Sequence, residues 1–183
     1  MEKYFEDLDT MINPIKKEIS SAIEIGCGEG HVTKHINDMG INIEGADLYG
    51  KIVDTARILH PSIKFNVISL YELSNHNKSY DLVLATEVLE HLDDPERAIK
   101  EMIKSSQKYI FLSVPNDILF RLANIFRLRY LCDLGNTPGH VNHWSEVSFR
   151  EFLERQRLSK IQLKCSTLWL MAICEVRADI YDH

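Results

Sequence analysis

A short apolar segment that ends in three alternating glycines constrains this chain more than any other feature. The segment is Ala22–Ile25, the glycines are Gly26, Gly28 and Gly30, and a helical pattern begins directly after them. Glycine reaches positive φ without strain and lets a ligand pass against the backbone with no Cβ in between. The helix that follows offers unpaired N–H groups at the same place. The pattern therefore predicts a strand, a ligand-binding turn and a helix.

An acidic residue strengthens the case for a nucleotide ligand. Asp47 ends the apolar run Asn42–Asp47, about 20 positions after the glycines, where a carboxylate that accepts both hydroxyls of a ribose is expected. The glycine spacing is G-x-G-x-G, which departs from the G-x-G-x-x-G of NAD-binding loops. NAD-dependent oxidoreduction is therefore disfavoured. Identifying the cofactor that binds would distinguish it from a function that uses another nucleotide cofactor.

Apolar β-rich runs alternate with helical ones, as expected for βαβ units and a parallel sheet covered on both faces. The last two runs are separated only by the residues around Leu168 and Trp169, too few for a parallel crossover, so they predict an antiparallel hairpin. A helix over Phe5–Ile19, interrupted by Pro14, is expected before the first strand. The predicted strands are Ala22–Ile25, Asn42–Asp47, Lys64–Ser69, Tyr80–Ala85, Tyr109–Val114, Ser159–Ser166 and Met171–Val176.

Length and composition favour one cytoplasmic domain. The 183 residues suffice for a full central sheet with flanking helices, and we expect a single domain over 1–183. No apolar run approaches the roughly 20 residues of a membrane span, and the N-terminus is too acidic for a signal peptide. The 4 cysteines lack C-x-x-C spacing and suggest neither a zinc site nor a disulfide framework. The net charge of −6 disfavours nucleic acid and favours a small substrate.

In its motifs the chain resembles the class I S-adenosylmethionine (SAM) methyltransferases, of the small-molecule, methyltransferase type 11-like kind. The first motif of that family is an acidic residue, an apolar residue and G-x-G-x-G, which matches Glu24 to Gly30. The later motifs follow in the family's order as Asp47, Phe65–Leu70, Tyr80–Leu92 and Phe111–Asn116. The resemblance implies an α/β fold: a Rossmann-like, doubly wound seven-stranded sheet, mostly parallel, with an antiparallel last strand.

The resemblance also implies a set of contacts with SAM. Glu24 would help to place the amino group of the cofactor, Asp47 would take the ribose hydroxyls, and Leu48 would pack against the adenine. Ser69 stands where an aspartate is commoner in the family, and Thr86 would line the floor near the sulfonium. The implied cofactor-binding residues are Glu24, Gly26, Cys27, Gly28, Gly30, Asp47, Leu48, Ser69, Leu70 and Thr86.

The implied reaction transfers a methyl group from SAM to an oxygen or nitrogen atom of a small-molecule acceptor. Such a reaction needs alignment of the acceptor, removal of water and, for a hydroxyl, removal of a proton. The candidate catalytic residues are Glu87, His91 and His143, because a carboxylate or an imidazole can take that proton. His140, like His143, follows the fifth predicted strand and could close over the opening of the cofactor site.

The segment 116–145 lies where family members insert acceptor-binding elements. Its first part, Asn116–Tyr130, has apolar residues at helical spacing with arginines among them. This composition fits a lid over the acceptor, an ordinary amphipathic helix or half of a homodimer interface. These three interpretations remain open at this point.

A metal site is a more specific alternative for the residues around Glu87. Glu87, Glu90 and His91 have the i, i+3, i+4 spacing that places three ligand-type groups on one face of a helix. With a later histidine, the pattern is similar to that of small-RNA 3′-terminal 2′-O-methyltransferases, which would imply a divalent metal and an RNA end as substrate. Many metal-free SAM methyltransferases read E-V-L-E-H-L here, so we assign no metal. A non-catalytic SAM-binding module is the last alternative.

Overall fold

The computed structural model describes residues 2–116, 141–166 and 168–176. The strands in these ranges are β1 (Ala22–Ile25), β2 (Ile43–Asp47), β3 (Phe65–Val67), β4 (Tyr80–Thr86), β5 (Ser106–Pro115), β6 (Leu158–Cys165) and β7 (Trp169–Val176). The α-helices there are α1 (Glu2–Ile12), α2 (His31–Asp38), α3 (Gly50–Leu59), α4 (Pro95–Ser105) and α5 (Glu146–Glu154). Short 3₁₀ segments occupy Lys16–Glu18, Leu70–His76 and Leu89–His91.

The described strands form one sheet in the order β3-β2-β1-β4-β5-β7-β6. Strands β1 to β5 pair in parallel, whereas β7 runs antiparallel to both β5 and β6. The predicted doubly wound sheet of 7 strands, with its antiparallel last strand, is therefore confirmed. Strands β1, β2 and β4 are buried along their whole length, as expected for parallel strands covered on both faces.

Apolar residues of the central strands supply a core on each face of the sheet. On β4, Val83 and Ala85 belong to one cluster, which includes residues of α4 and α5. Leu82 and Leu84 belong to the other, which includes residues of α1 and α2. Successive side chains of a strand point to opposite faces, so this alternation places the sheet between two helical layers.

Some element boundaries differ from the sequence prediction. The interruption that the sequence predicts at Pro14 is confirmed, since α1 ends at Ile12; the α-helix expected beyond it is wrong, because only Lys16–Glu18 forms a further helical turn. Pro14 explains the break, since it lacks an N–H donor and disfavours helical backbone at the residue before it. Strand β3 is shorter than predicted, and Ser69 instead precedes the 3₁₀ segment.

The predicted acceptor-binding insertion falls mostly on residues 117–140, which lie outside the described residues, as does His140. The chain continues with Val141, whose N–H and that of Asn142 both donate to the Glu90 carbonyl oxygen. The Asn142 side-chain amide donates to the carbonyls of Leu89 and Leu92. In the described part of the chain, no helix combines the length and the hydropathy that a membrane span needs.

Candidate active site

A cavity of about 610 Å³ opens at the carboxyl ends of the parallel strands. Its lining residues come from the segments that directly follow β1, β2, β3 and β4. In an open α/β sheet, ligands bind at this edge, where the strand order reverses. The order β2-β1-β4 places the reversal between β1 and β4. The cavity therefore lies where the glycine pattern predicts a ligand.

The structure brings seven of the predicted site residues to this cavity. They are Gly26, Asp47, Leu48, Ser69, Leu70, Glu87 and His91. The remaining predicted residues do not line it: Glu24, Cys27, Gly28, Gly30, Thr86 and His143. The cavity wall is therefore formed by the residues at the strand ends and just beyond them.

The glycine turn after β1 shows why two of its positions need glycine. Gly26 has a φ of +74°, and a Cβ there would lie 2.4 Å from Val88 Cγ2. Gly28 has a φ of +54°, and a Cβ there would meet nothing within 4 Å. Gly26 is thus required by packing as well as by backbone angle. Gly28 leaves open space beside the backbone, which suits close approach of a ligand.

Asp47 is held by two backbone donors at the end of β2. One carboxylate oxygen accepts the Gly28 N–H at 3.0 Å, and the other accepts the Tyr49 N–H at 3.0 Å. Each carboxylate oxygen can accept more than one hydrogen bond, so both retain capacity for a ligand. Two backbone donors thus hold the Asp47 side chain in place at the wall of the cavity.

Glu24 lies behind the cavity in a buried hydrogen-bonded group. It is 1 % exposed, and its two oxygens accept from Thr33 Oγ1 at 2.5 Å and Thr86 Oγ1 at 2.6 Å. Burial raises the pKa of Glu24 to about 7, although both threonine donors oppose the shift. The group ties β1 to α2 and β4. A direct contact between Glu24 and the cofactor, which the resemblance implies, stays a prediction.

Glu87 and His91 line the cavity on the β4 side. Glu87 has a φ of +56°, its N–H donates to the Ser113 carbonyl at 3.0 Å, and its Oε1 accepts from Ser113 Oγ at 3.3 Å. His91 exposes 49 % of its side chain. His143 is exposed and is not among the residues that line the cavity. The structure thus brings two of the three candidate catalytic residues together.

The helical face predicted for Glu87, Glu90 and His91 is wrong. Glu87 has left-handed backbone, and only Leu89–His91 forms a 3₁₀ turn. A 3₁₀ turn does not align residues at i and i+4. Glu90 is 1 % exposed, whereas His91 reaches the cavity. Over residues 2–116, 141–166 and 168–176, no three histidine, cysteine, aspartate or glutamate side chains form a group that could hold a metal ion.

Several lining residues were missed from the sequence, among them Tyr49 and Tyr71. Tyr49 and Leu48 are exposed apolar residues directly after a strand end, and that position is a signal which the sequence does offer. The sequence offers no such signal for Tyr71, because the contacts of this side chain are with residues at the start of α4. Its hydroxyl accepts from the Asp94 N–H at 3.1 Å, and the Arg97 guanidinium lies 4.9 Å from its ring centroid.

A doubly wound sheet with a carboxylate at the end of its second strand, beside a glycine turn and a cavity, is typical of nucleotide-binding α/β proteins. The comparison with known families narrows the class further. The family model described as a methyltransferase domain matches residues 2–163, and the chain belongs to that family.

Curated relatives and solved structures agree with this family. The ubiquinone biosynthesis O-methyltransferase of Shewanella pealeana is 26% identical over 117 residues, which cover 60% of this chain and 50% of the relative. The enzyme of that name from Coxiella burnetii is 25% identical over 140 residues, covering 68% and 60%. The chain thus spans about half the length of the curated relatives that it matches.

Two solved structures show the same fold at low sequence identity. The plantazolicin methyltransferase BpumL, in complex with S-adenosylhomocysteine (SAH), has a TM-score of 0.74 at 14% identity, covering 96% of this chain and 80% of that one. Magnesium protoporphyrin IX methyltransferase from Synechocystis PCC 6803, with bound SAH, has a TM-score of 0.69 at 15% identity, covering 96% and 84%. At such identities the likeness establishes the fold.

Proposed function

We propose that this protein transfers a methyl group from SAM to an oxygen or nitrogen atom of a small-molecule acceptor. The observation that carries the proposal is the Asp47 carboxylate, held by the Gly28 and Tyr49 N–H groups at the wall of the cavity. In a chain of the methyltransferase family, this arrangement supports a cofactor that carries a ribose.

The residues at the cavity fit such a cofactor. Asp47 would accept the two ribose hydroxyls, and Leu48, a large exposed apolar side chain, would cover the adenine. Gly26 and Gly28 would let the methionine part pass close to the backbone, since no Cβ stands between. Ser69 and Leu70 would border the adenine from the end of β3. When bound, SAM supplies an electrophilic methyl group on a sulfonium.

Glu87 and His91 are the groups that would receive the acceptor's proton. With SAM bound, the acceptor oxygen or nitrogen would form its bond to the methyl carbon as the carbon–sulfur bond breaks, and the sulfur would keep that electron pair. The acceptor then loses its proton, and both side chains line the cavity and can accept it. Much of the remaining rate enhancement would come from orienting the acceptor and excluding water. His143 is not among the residues that line the cavity, so the cavity gives no support for His143 as the proton acceptor.

The lining of the cavity and the names of the relatives support a proposal for the class of acceptor. Apolar side chains, including Ile52 and Leu92, line the cavity along with Tyr71, which favours a small acceptor with an apolar or aromatic body. The curated relatives are named O-methyltransferases, which supports oxygen as the methylated atom. We also propose a cytoplasmic location, supported by the free thiols of Cys27, Cys165 and Cys174. A single domain over 1–183 and a homodimer stay predictions.

The proposal is tested by turnover with SAM that carries a radiolabelled methyl group. Phenols, catechols, carboxylic acids and amines serve as acceptor classes, and EDTA is added to parallel reactions. We expect methylation of at least one oxygen or nitrogen class, unchanged by EDTA. The Glu87→Gln variant should lose about 100-fold in kcat if its carboxylate takes the proton, and His143→Asn should retain activity.

Other outcomes would support the alternatives. Activity that EDTA abolishes and Mg²⁺ or Mn²⁺ restores would favour the metal-dependent reaction. SAH binding without turnover on any acceptor class would favour the non-catalytic module. Binding of NAD in place of SAH would contradict both the proposal and these two alternatives.

A further inference from the structure

Tyr4, on the N-terminal helix, brings a buried hydroxyl group to the back of the proposed active site. Its side chain is 4 % exposed, and its ring packs edge-on against Trp169 at a centroid distance of 5.2 Å. Its hydroxyl lies 2.8 Å from Ser113 Oγ, although 109 residues separate the two in sequence. Neither Tyr4 nor Ser113 lines the cavity. Any effect of Tyr4 on the reaction must therefore pass through other groups.

Ser113 connects Tyr4 to Glu87. Ser113 lies near the end of β5, opposite Thr86 in the parallel ladder. Its hydroxyl donates to Glu87 Oε1 at 3.3 Å, and its carbonyl accepts the Glu87 N–H at 3.0 Å. A serine hydroxyl has one hydrogen, and here that hydrogen goes to Glu87. Tyr4 must then donate to Ser113 Oγ, which gives an ordered chain from Tyr4 through Ser113 to Glu87.

The backbone of Glu87 shows that this position is held under strain. Its φ of +56° lies in the left-handed region, which is unfavourable for a non-glycine residue. The two hydrogen bonds between Glu87 and Ser113, one donated by the Glu87 N–H and one by the Ser113 hydroxyl, hold both the main chain and the side chain of Glu87 in place. Such strain persists only where the surroundings over-determine the conformation.

We propose that Tyr4 is a positioning residue that fixes the Glu87 carboxylate at the cavity through Ser113. The N-terminal helix α1 is then a part of the active site and contributes to catalysis from behind the cavity wall. The role of the carboxylate as proton acceptor rests on the proposed function, whereas the hydrogen-bonded chain does not.

The first test compares two tyrosine-to-phenylalanine variants. Tyr4→Phe removes the hydroxyl and keeps the ring packing against Trp169. Tyr109→Phe is the matched control, because the Tyr109 hydroxyl also bonds a partner, Glu18 Oε2 at 2.8 Å, near the opposite end of β5. We expect Tyr4→Phe to lower kcat about 3- to 10-fold, the scale of one hydrogen bond, with KM for SAM unchanged. Tyr109→Phe should match the wild type. Equal kinetics in all three proteins would overturn the proposal.

A double-mutant cycle separates positioning from general loss of stability. If Tyr4 acts through Glu87, then Tyr4→Phe should have no further effect on kcat in a Glu87→Gln background, because coupled residues are non-additive. A fall in kcat of the same factor in both backgrounds would show that Tyr4 acts independently of Glu87.

A spectroscopic readout distinguishes failure of this inference from failure of the proposed function. The side-chain carboxyl ¹³C resonance of Glu87 can be assigned by its absence in Glu87→Gln. It should shift in Tyr4→Phe and stay unchanged in Tyr109→Phe. Absence of turnover on every acceptor class would count against the proposed function, while the resonance still decides the positioning. An unmoved resonance in Tyr4→Phe would refute the inference whatever the enzyme does.

Discussion

Gly26 meets two requirements at once, and they can be separated by experiment. Its φ of +74° strains any residue with a Cβ by about 1–2 kcal/mol, and that Cβ would lie 2.4 Å from Val88 Cγ2. Gly40 has a similar φ of +87° with nothing within 4 Å of a Cβ. We therefore expect Gly26→Ala to lower the free energy of unfolding by roughly 2–5 kcal/mol and Gly40→Ala by about 1–2 kcal/mol. Urea unfolding measures both, and equal losses would argue against the contact with Val88.

The raised pKa of Glu24 should make the stability of the folded protein depend on pH. Burial raises its folded pKa to about 7 from an ordinary value of 4.5. Between these two values the folded protein holds a proton that the unfolded chain releases, so stability falls as the pH rises through this window. We expect the wild type to lose about 2–3 kcal/mol relative to Glu24→Gln between pH 4.5 and 7. Urea unfolding of both proteins across this range tests the prediction, and parallel pH curves would contradict it.

Gly26 and Asp47, two of the predicted site residues that the structure places at the cavity, have local requirements. Gly26 needs a special backbone angle directly after a strand, and Asp47 ends the next strand, so short-range pattern suffices for both. The contact between Tyr4 and Ser113 was not predicted, because the two residues lie 109 positions apart in the sequence. Neither the helix position of Tyr4 nor the strand position of Ser113 stands out in the sequence. Only the packing of α1 on the sheet brings them together.

At the scale of elements, Asp7 anchors α1 to the far edge of the sheet. Its carboxylate is 2 % exposed and bonds Lys164 Nζ at 2.8 Å and Ser166 Oγ at 2.6 Å. Burial by itself raises the pKa of Asp7, but the hydrogen bonds from Lys164, Ser166 and Lys3 lower it to about 2. This stabilisation is present above the unfolded pKa of 3.8 and is lost as the pH falls through about 2.

Removal of this anchor should loosen α1 selectively. We expect Asp7→Asn to lower the free energy of unfolding by about 1–3 kcal/mol and to speed amide hydrogen exchange in α1 more than in β4. Asp38→Asn is the control, because its ion pair with Lys34 on α2 is exposed and worth at most about 1 kcal/mol. If the two variants exchanged alike in α1, Asp7 would not be the anchor.

At the scale of elements, the sequence predicted the strands well but failed for one short helical pattern. Every strand in the described part of the chain was predicted, with ends shifted by a few residues, because buried β-rich runs are distinctive. The hairpin of β6 and β7 followed from its short connection. The helix expected around Glu87 and His91 was wrong, because i, i+3, i+4 spacing over a single turn does not fix the backbone. Glu87 has a positive φ, which is incompatible with a right-handed helix at this position.

At the scale of the whole molecule, the sheet order explains why residues distant in sequence share one cavity. Parallel strands β1, β2, β3 and β4 all end at the same edge, so the segment after each contributes to the lining. The sequence predicts that edge. It does not predict the shape of the cavity, because side chains such as Tyr71 take their position from α4.

The measurement that tests the account most directly is calorimetric titration of SAH, and of NAD, into the wild type and Asp47→Asn. The control is Asp54→Asn, because Asp54 lies on the nearby α3 in an exposed ion pair with Arg57. We predict saturable SAH binding by the wild type and the control, at least about tenfold weaker binding by Asp47→Asn, the scale of one charged hydrogen bond, and no NAD binding. Binding of NAD, or SAH affinity unchanged in Asp47→Asn, would contradict the account.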